Sequence, residues 1–152
     1  MMEVRGARIL VVDDDSNILK VFETALTEAG YEVDSTQNGK QAIEMAYAKH
    51  YDLALIDIHL PDTEGTKLLE ALSKSNPNIR KLIVTGFPST GNAIEAVNKR
   101  ADAYLVKPVK IDDLLSKIAK HLKEREENIK YSEQKVEEFV ESRIKEITTL
   151  NP

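Results

Sequence analysis

Residues 53–62 read LALIDIHLPD: four apolar residues, then a carboxylate, Asp57, with Pro61 closing the run. So short an apolar stretch, stopped by a proline, fits a strand covered on both faces. Similar runs stand at Ile9–Val12, Glu32–Thr36, Lys81–Val84 and Ala103–Val106, with helical patterns between them. Ile18, Phe22, Ala25 and Ala29 mark a first helix ending at Gly30, and Ala42, Ile43, Ala46 and Tyr47 a second starting near Asn38-Gly39. Leu68, Leu69 and Leu72 mark a third, Ala93, Ile94 and Val97 a shorter fourth, and a fifth opens near Ile111. Strands alternating with helices predict βαβ units, hence a doubly wound α/β fold with a five-stranded parallel sheet and five helices.

Parallel crossovers are right-handed, so the carboxyl ends of all five strands open onto one rim, where ligands bind. Asp13, Asp14 and Asp15 follow the first strand, Asp57 the third, Thr85 and Gly86 the fourth, and Lys107 and Pro108 the fifth. Asp15 is better placed as the cap of the first helix than as part of the site. The remaining carboxylates repel by about 4 kcal/mol per pair at 4 Å and an effective dielectric near 20, so protons or a cation must relieve them. Hard oxygen donors without histidine or thiolate suit Mg²⁺. A rim holding Mg²⁺, an ammonium and a hydroxyl is complementary to a phosphoryl group. Asp57, alone on its strand, is then the expected nucleophile, with Asp13 and Asp14 holding the metal.

Composition narrows the alternatives. The chain has 152 residues, no cysteine and a formal charge of −5. That length suits one domain with an appended element. Thiolate metal sites are excluded, and interspersed charges without a basic stripe argue against direct nucleic-acid binding. No apolar run approaches the roughly 20 residues of a membrane span, and the start MMEVRGARIL lacks a secretory core, so a cytoplasmic location is expected. The histidines His50, His59 and His121 are too scattered for a metal centre.

The pieces VVDDDSN (11–17), LIDIHLPD (55–62), VTG (84–86) and YLVKP (104–108), in this order and spacing, resemble the receiver domain of two-component response regulators over roughly Ala7–Leu122. The resemblance implies a flavodoxin-like strand order 2-1-3-4-5, with Asp57 as phosphoacceptor for a sensor histidine kinase. It implies Mg²⁺ held by Asp13, Asp14, Asp57 and the backbone carbonyl of His59. Thr85 and Lys107 would contact the phosphoryl oxygens, Thr85 and Tyr104 would form the switch, and the Lys107-Pro108 bond would be cis. It further implies a signalling domain that assists its own phosphoryl transfer and hydrolysis rather than an enzyme. Its output would be a downstream protein or an output domain elsewhere. Phe87 is expected to flank the phosphoryl group and slow its loss.

Two other classes compete. An interaction module that keeps the fold without phosphorylation would have no need of the acceptor, the acidic pair, Thr85 and Lys107 together. An aspartate-nucleophile phosphatase would use Asp13 with Asp15 as acid, and a flavin carrier would want a less acidic rim.

The tail is the second informative region. The first 122 residues are expected to form the receiver, and residues 123–152 a helical extension or linker. Ile111, Leu114, Leu115, Ile118 and Leu122 face the sheet, and Ile129, Val136, Phe139, Val140, Ile144, Ile147 and Leu150 continue at three-four spacing. Arg125 and Ser132 interrupt the seam. A coiled coil in a homodimer and a helix folding back on its own domain both remain open.

Overall fold

The computed structural model describes residues 6–58, 60, 62, 65–86, 89, 91, 94 and 101–150. His59, Phe87, and Ala93 and Val97 of the expected fourth helix lie outside them. The described elements run β1 (Arg8–Val12), α1 (Ser16–Glu28), β2 (Glu32–Thr36), α2 (Gly39–Ala48), β3 (Leu53–Ile56), α3 (Gly65–Ser75), β4 (Arg80–Thr85), β5 (Ala103–Val106) and α4 (Ile111–Leu150). All pairings are parallel, and the strand order is β2-β1-β3-β4-β5, as expected.

Strand alternation divides the core into two layers, because successive side chains point to opposite faces. Leu10, Val12, Ala54, Ile56 and Ile83 pack on one face against Ala42 and Ala46 of α2 and Leu68, Leu69 and Leu72 of α3. Ile9, Val11, Leu53, Leu55, Leu82 and Val84 pack on the other against Leu19, Phe22 and Leu26 of α1 and Leu114, Ile118 and Leu122 of α4. The central strands are therefore buried from both sides, which is why they read as unbroken apolar runs.

Local signals set the helix ends. Asp15 caps α1, its Oδ1 accepting from the backbone N–H of Asn17 at 2.9 Å and Ile18 at 3.3 Å. Gly30, with φ of 98°, ends that helix in a conformation a side chain would disfavour. The buried face of α1 is Leu19, Phe22 and Leu26, while Ala29 is exposed, so the expected face is rotated by one position. The larger leucines win the core because they remove more apolar area from water than the alanines. Tyr47, expected on the inner face of α2, is exposed.

α4 is one unbroken helix of 40 residues, about 60 Å long at 1.5 Å per residue. Its first part is fastened at the amino-terminal edge of the sheet. Arg125 donates from Nε to the carbonyl of Asn78 at 2.9 Å, and its Nη1 lies 3.2 Å from Asp52. From Tyr131 to Thr149 every residue is exposed, so the described helix does not fold back on its domain.

His121 sits in the packed part of α4 with a buried Nδ1 that has no hydrogen-bond partner among the described residues. The nearest carboxylate, Glu124, is 3.9 Å away, beyond hydrogen-bond reach. Burial pushes the His121 pKa below its ordinary value of 6.5, and Arg80 and Lys120 reinforce this against Glu124 and Asp102. The unfolded chain therefore takes up a proton near pH 6.5 that the folded chain refuses until lower pH. Stability falls on acidification through that window and is unaffected above it. Urea midpoints at pH 7.5 and 5.5 should show this loss, and a His121→Leu protein should lose part of the slope. Equal slopes in the two proteins would contradict it.

Candidate functional site

The carboxyl ends of β1, β3, β4 and β5 meet on one rim, and three of the expected residues touch. Lys107, just past β5, places Nζ 2.7 Å from Oδ2 of Asp13 and 3.2 Å from Oδ2 of Asp57. Asp13 and Asp57 are buried, 2% and 6% exposed, so their charges need this partner. Asp13 also accepts the backbone N–H of Asp15 at 2.9 Å. Asp14 is exposed, yet its carboxylate joins those of Asp13 and Asp57 in a group whose oxygens lie within 4.8 Å of one another.

Electrostatics reflects the crowding. Burial raises the pKa of Asp13, and the bonds from Lys107 and the Asp15 N–H offset only part of it. Burial would lower the pKa of Lys107, but its bond to Asp13 and the charges of Asp13 and Asp57 outweigh that and raise it, so the ammonium form is held. One ammonium shared by two carboxylates, with a third beside them, leaves local negative charge for a cation. Three oxygen donors without nitrogen or sulfur fit Mg²⁺.

Thr85 closes β4 and is fully buried, and its carbonyl accepts the N–H of Lys107 at 2.8 Å. The Lys107-Pro108 bond is cis. Tyr104 pairs with Ile83 across β4 and β5, so by strand alternation Thr85 and Tyr104 lie on the same sheet face. The Tyr104 ring packs against the core layer containing Ile83, and its buried hydroxyl has no partner among the described residues. Asp15 belongs to the helix cap. Its carboxylate is engaged by α1, so a nucleophile and acid pair of Asp13 and Asp15 is not assembled.

Two residues were not foreseen. Asp62, past β3, accepts the N–H groups of Gly39 at 2.7 Å and Lys40 at 2.9 Å, tying its loop to the start of α2. Arg125, a break in the apolar seam of the sequence pattern, anchors α4. Its placement on the face of Ile118 and Leu122 was the available signal.

The chain is similar to known proteins. The family model described as "Response regulator receiver domain" matches residues 9–119. The transcriptional regulatory protein ZraR of Klebsiella oxytoca is 39% identical over 106 residues, 70% of this chain but 24% of that protein. This chain thus spans about a quarter of that relative's length. A crystal structure of a CheY-like response regulator receiver domain protein from Methanospirillum hungatei superposes with a TM-score of 0.79 at 42% identity, covering 81% of this chain and 98% of that one. A Burkholderia pseudomallei response regulator, solved with a phosphorylated aspartic acid and a calcium ion, superposes with a TM-score of 0.71 at 29% identity, over 80% of this chain and 72% of that one.

Proposed function

The chain belongs to the response regulator receiver family, and from that membership we propose that Asp57 accepts a phosphoryl group from a phosphohistidine of a sensor histidine kinase. The observation that carries this reading is the single Lys107 ammonium held between Asp13 and Asp57 on a rim of three clustered carboxylates. An Asp57 carboxylate oxygen attacks phosphorus, the phosphorus–nitrogen bond breaks, and the imidazole leaves with its electron pair and takes up a proton. Asp13, Asp14, Asp57 and the carbonyl of His59 are the proposed Mg²⁺ ligands. The metal would supply positive charge to the phosphoryl oxygens. Lys107 exchanges its bond to Asp57 for one to a phosphoryl oxygen, and Thr85 donates its hydroxyl to another. Positioning and charge stabilisation of this kind provide most of the catalysis in phosphoryl transfer.

A phosphoryl group adds roughly −1.5 to −2 charges. Reversing a 1:99 equilibrium to 99:1 needs about 5.5 kcal/mol, and charge-assisted hydrogen bonds supply about 1.5–3 kcal/mol each. A new bond from Thr85, with whatever the exchanged Lys107 bond gains over the one it gives up, contributes toward that figure. Thr85 drawn toward the phosphoryl group frees space on the face it shares with Tyr104, and the surface around β5 and the start of α4 changes. A Thr85→Ala protein should take up phosphoryl groups yet lose the accompanying change in amide exchange over residues 101–115. A full change in that variant would overturn the switch.

Residues 1–122 form the proposed receiver and 123–152 its helical extension, through which the chain forms a homodimer. The output is a downstream protein or an output domain, with no direct nucleic-acid contact by this segment. A cytoplasmic location is part of the proposal; among the described residues no helix is long and apolar enough to cross a membrane. Eventual loss of the phosphoryl group to water at the same rim is part of the proposal. Incubation with a small-molecule phosphodonor tests the phosphoacceptor reading: one phosphoryl group gained with Mg²⁺ and none with chelator supports it, and an unchanged mass in both overturns it.

A further inference from the structure

We propose that Asp62 is a positioning residue for the acidic rim: it ties the chain beyond Asp57 to the start of α2, and that tie sets how tightly the rim holds Mg²⁺. This rests on the Mg²⁺ reading above. The first four backbone N–H groups of a helix have no partner within it. At α2 all four are satisfied. Asn38 donates to Oγ1 of Thr36 at 3.4 Å, and Gln41 donates to Oδ1 of Asn38 at 2.8 Å. Gly39 and Lys40 between them donate to Oδ1 and Oδ2 of Asp62, which stands 23 and 22 residues away in the chain. A helix start can be capped locally, as Asp15 caps α1. A cap brought from another loop adds a tertiary constraint to the bonds it makes.

That constraint closes a ring around the buried carboxylates. On the inside, Asp57 donates its N–H to the carbonyl of Val12 at 2.9 Å, which joins β3 to β1 beside Asp13. On the outside, Asp13 donates its N–H to the carbonyl of Thr36 at 3.2 Å. The Thr36 hydroxyl donates to Oε1 of Gln41 at 2.6 Å and accepts the Asn38 N–H, so the same residue holds the first turn of α2. Asp62 fastens to that turn and lies five residues beyond Asp57, completing the circuit. Asp13 and Asp57 are thus linked twice, and the outer link runs through Asp62.

The metal makes this link matter. Mg²⁺ demands near-octahedral oxygens at about 2.0–2.1 Å, whereas the oxygens of Asp13, Asp14 and Asp57 lie within 4.8 Å of one another. Their convergence on an ion depends on how narrowly the strand ends are held, and outer groups that orient metal ligands change affinity by about 10–100-fold. Asp62 is exposed, and the N–H groups of Lys40 and Gly39 lower its pKa from the ordinary 3.8. The positive end of α2 favours the same charge. The carboxylate is therefore ionised, and the tie made, throughout the neutral range.

Titration of the full chain with MgCl₂ alone, followed by the amide chemical shifts of Asp14 and Asp57, tests the proposal. Asp62→Ala should raise the Mg²⁺ concentration at half-saturation about tenfold. Asp62→Asn, which keeps one acceptor oxygen, should fall between this variant and the native chain, and circular dichroism checks that both keep their helices. Removing a charge also weakens cation binding at a distance, so the titration is repeated in about 1 M salt, where screening acts beyond roughly 3 Å. The ratio of variant to native midpoints should survive there. A ratio that falls to one in high salt would make Asp62 a remote charge and overturn the tie. A lower melting temperature in chelator with an unchanged Mg²⁺ midpoint would make it a helix cap only and overturn the proposal as well, leaving the metal reading intact. A native chain that takes up no Mg²⁺ would overturn the metal reading and the proposal with it.

Discussion

Lys107→Ala should slow phosphoryl uptake about 100-fold or more, the typical consequence of removing one charge-stabilising donor from a transition state. It should also destabilise the metal-free protein by about 3 kcal/mol, because breaking a buried ion pair on one side leaves uncompensated charge. Asp13 and Asp57, both buried, would face each other and Asp14 with no ammonium between them. Mg²⁺ should recover part of that stability, since a cation at the three carboxylates replaces the missing charge. Thermal melts with Mg²⁺ and with chelator, beside a time course of intact mass, check both effects. A variant that melts like the native protein in chelator would show that Lys107 is not the counter-charge of the rim.

Leu10→Ala should cost about 3 kcal/mol, within the range for deleting a buried leucine. Leu10 is fully buried in the second-most central position of the sheet order, beside β2 and β3, and faces the α2 and α3 layer. Against the roughly 5–15 kcal/mol that a domain commands, this is a substantial fraction. Urea denaturation should show a lower midpoint with an unchanged slope, and the folded fraction should still accept a phosphoryl group. A loss below about 1 kcal/mol would mean that neighbouring side chains close the cavity.

Much of this was legible in the sequence, for physical reasons. Apolar runs such as LALI can be covered on both faces only in a sheet with helices on either side, and right-handed crossovers then send Asp13, Asp57, Thr85 and Lys107 to one rim. Which of two adjacent helical faces turns inward was less legible. In α1 a period of 3.6 residues lets Ile18–Ala29 and Leu19–Leu26 both look inward, and side-chain size decided between them. Long-range polar anchors were not legible at all. Asp62 reaches the start of α2, and Arg125 reaches Asn78 and Asp52, with no periodicity that links these pairs. Arg125 looked like a flaw in a coiled-coil seam because a long side chain at a helix face can serve either solvent or a distant carbonyl.

The tail illustrates the same limit. Its apolar spacing announced a helix with an inner face, but only the fold reveals that this face points beneath its own sheet.

The measurement that tests the central claim most directly is intact mass of the native chain and of Asp57→Asn, incubated side by side with a small-molecule phosphodonor and Mg²⁺. One phosphoryl group on the native chain and none on the variant is the expected result. Equal uptake by both proteins would place the acceptor elsewhere and contradict the account.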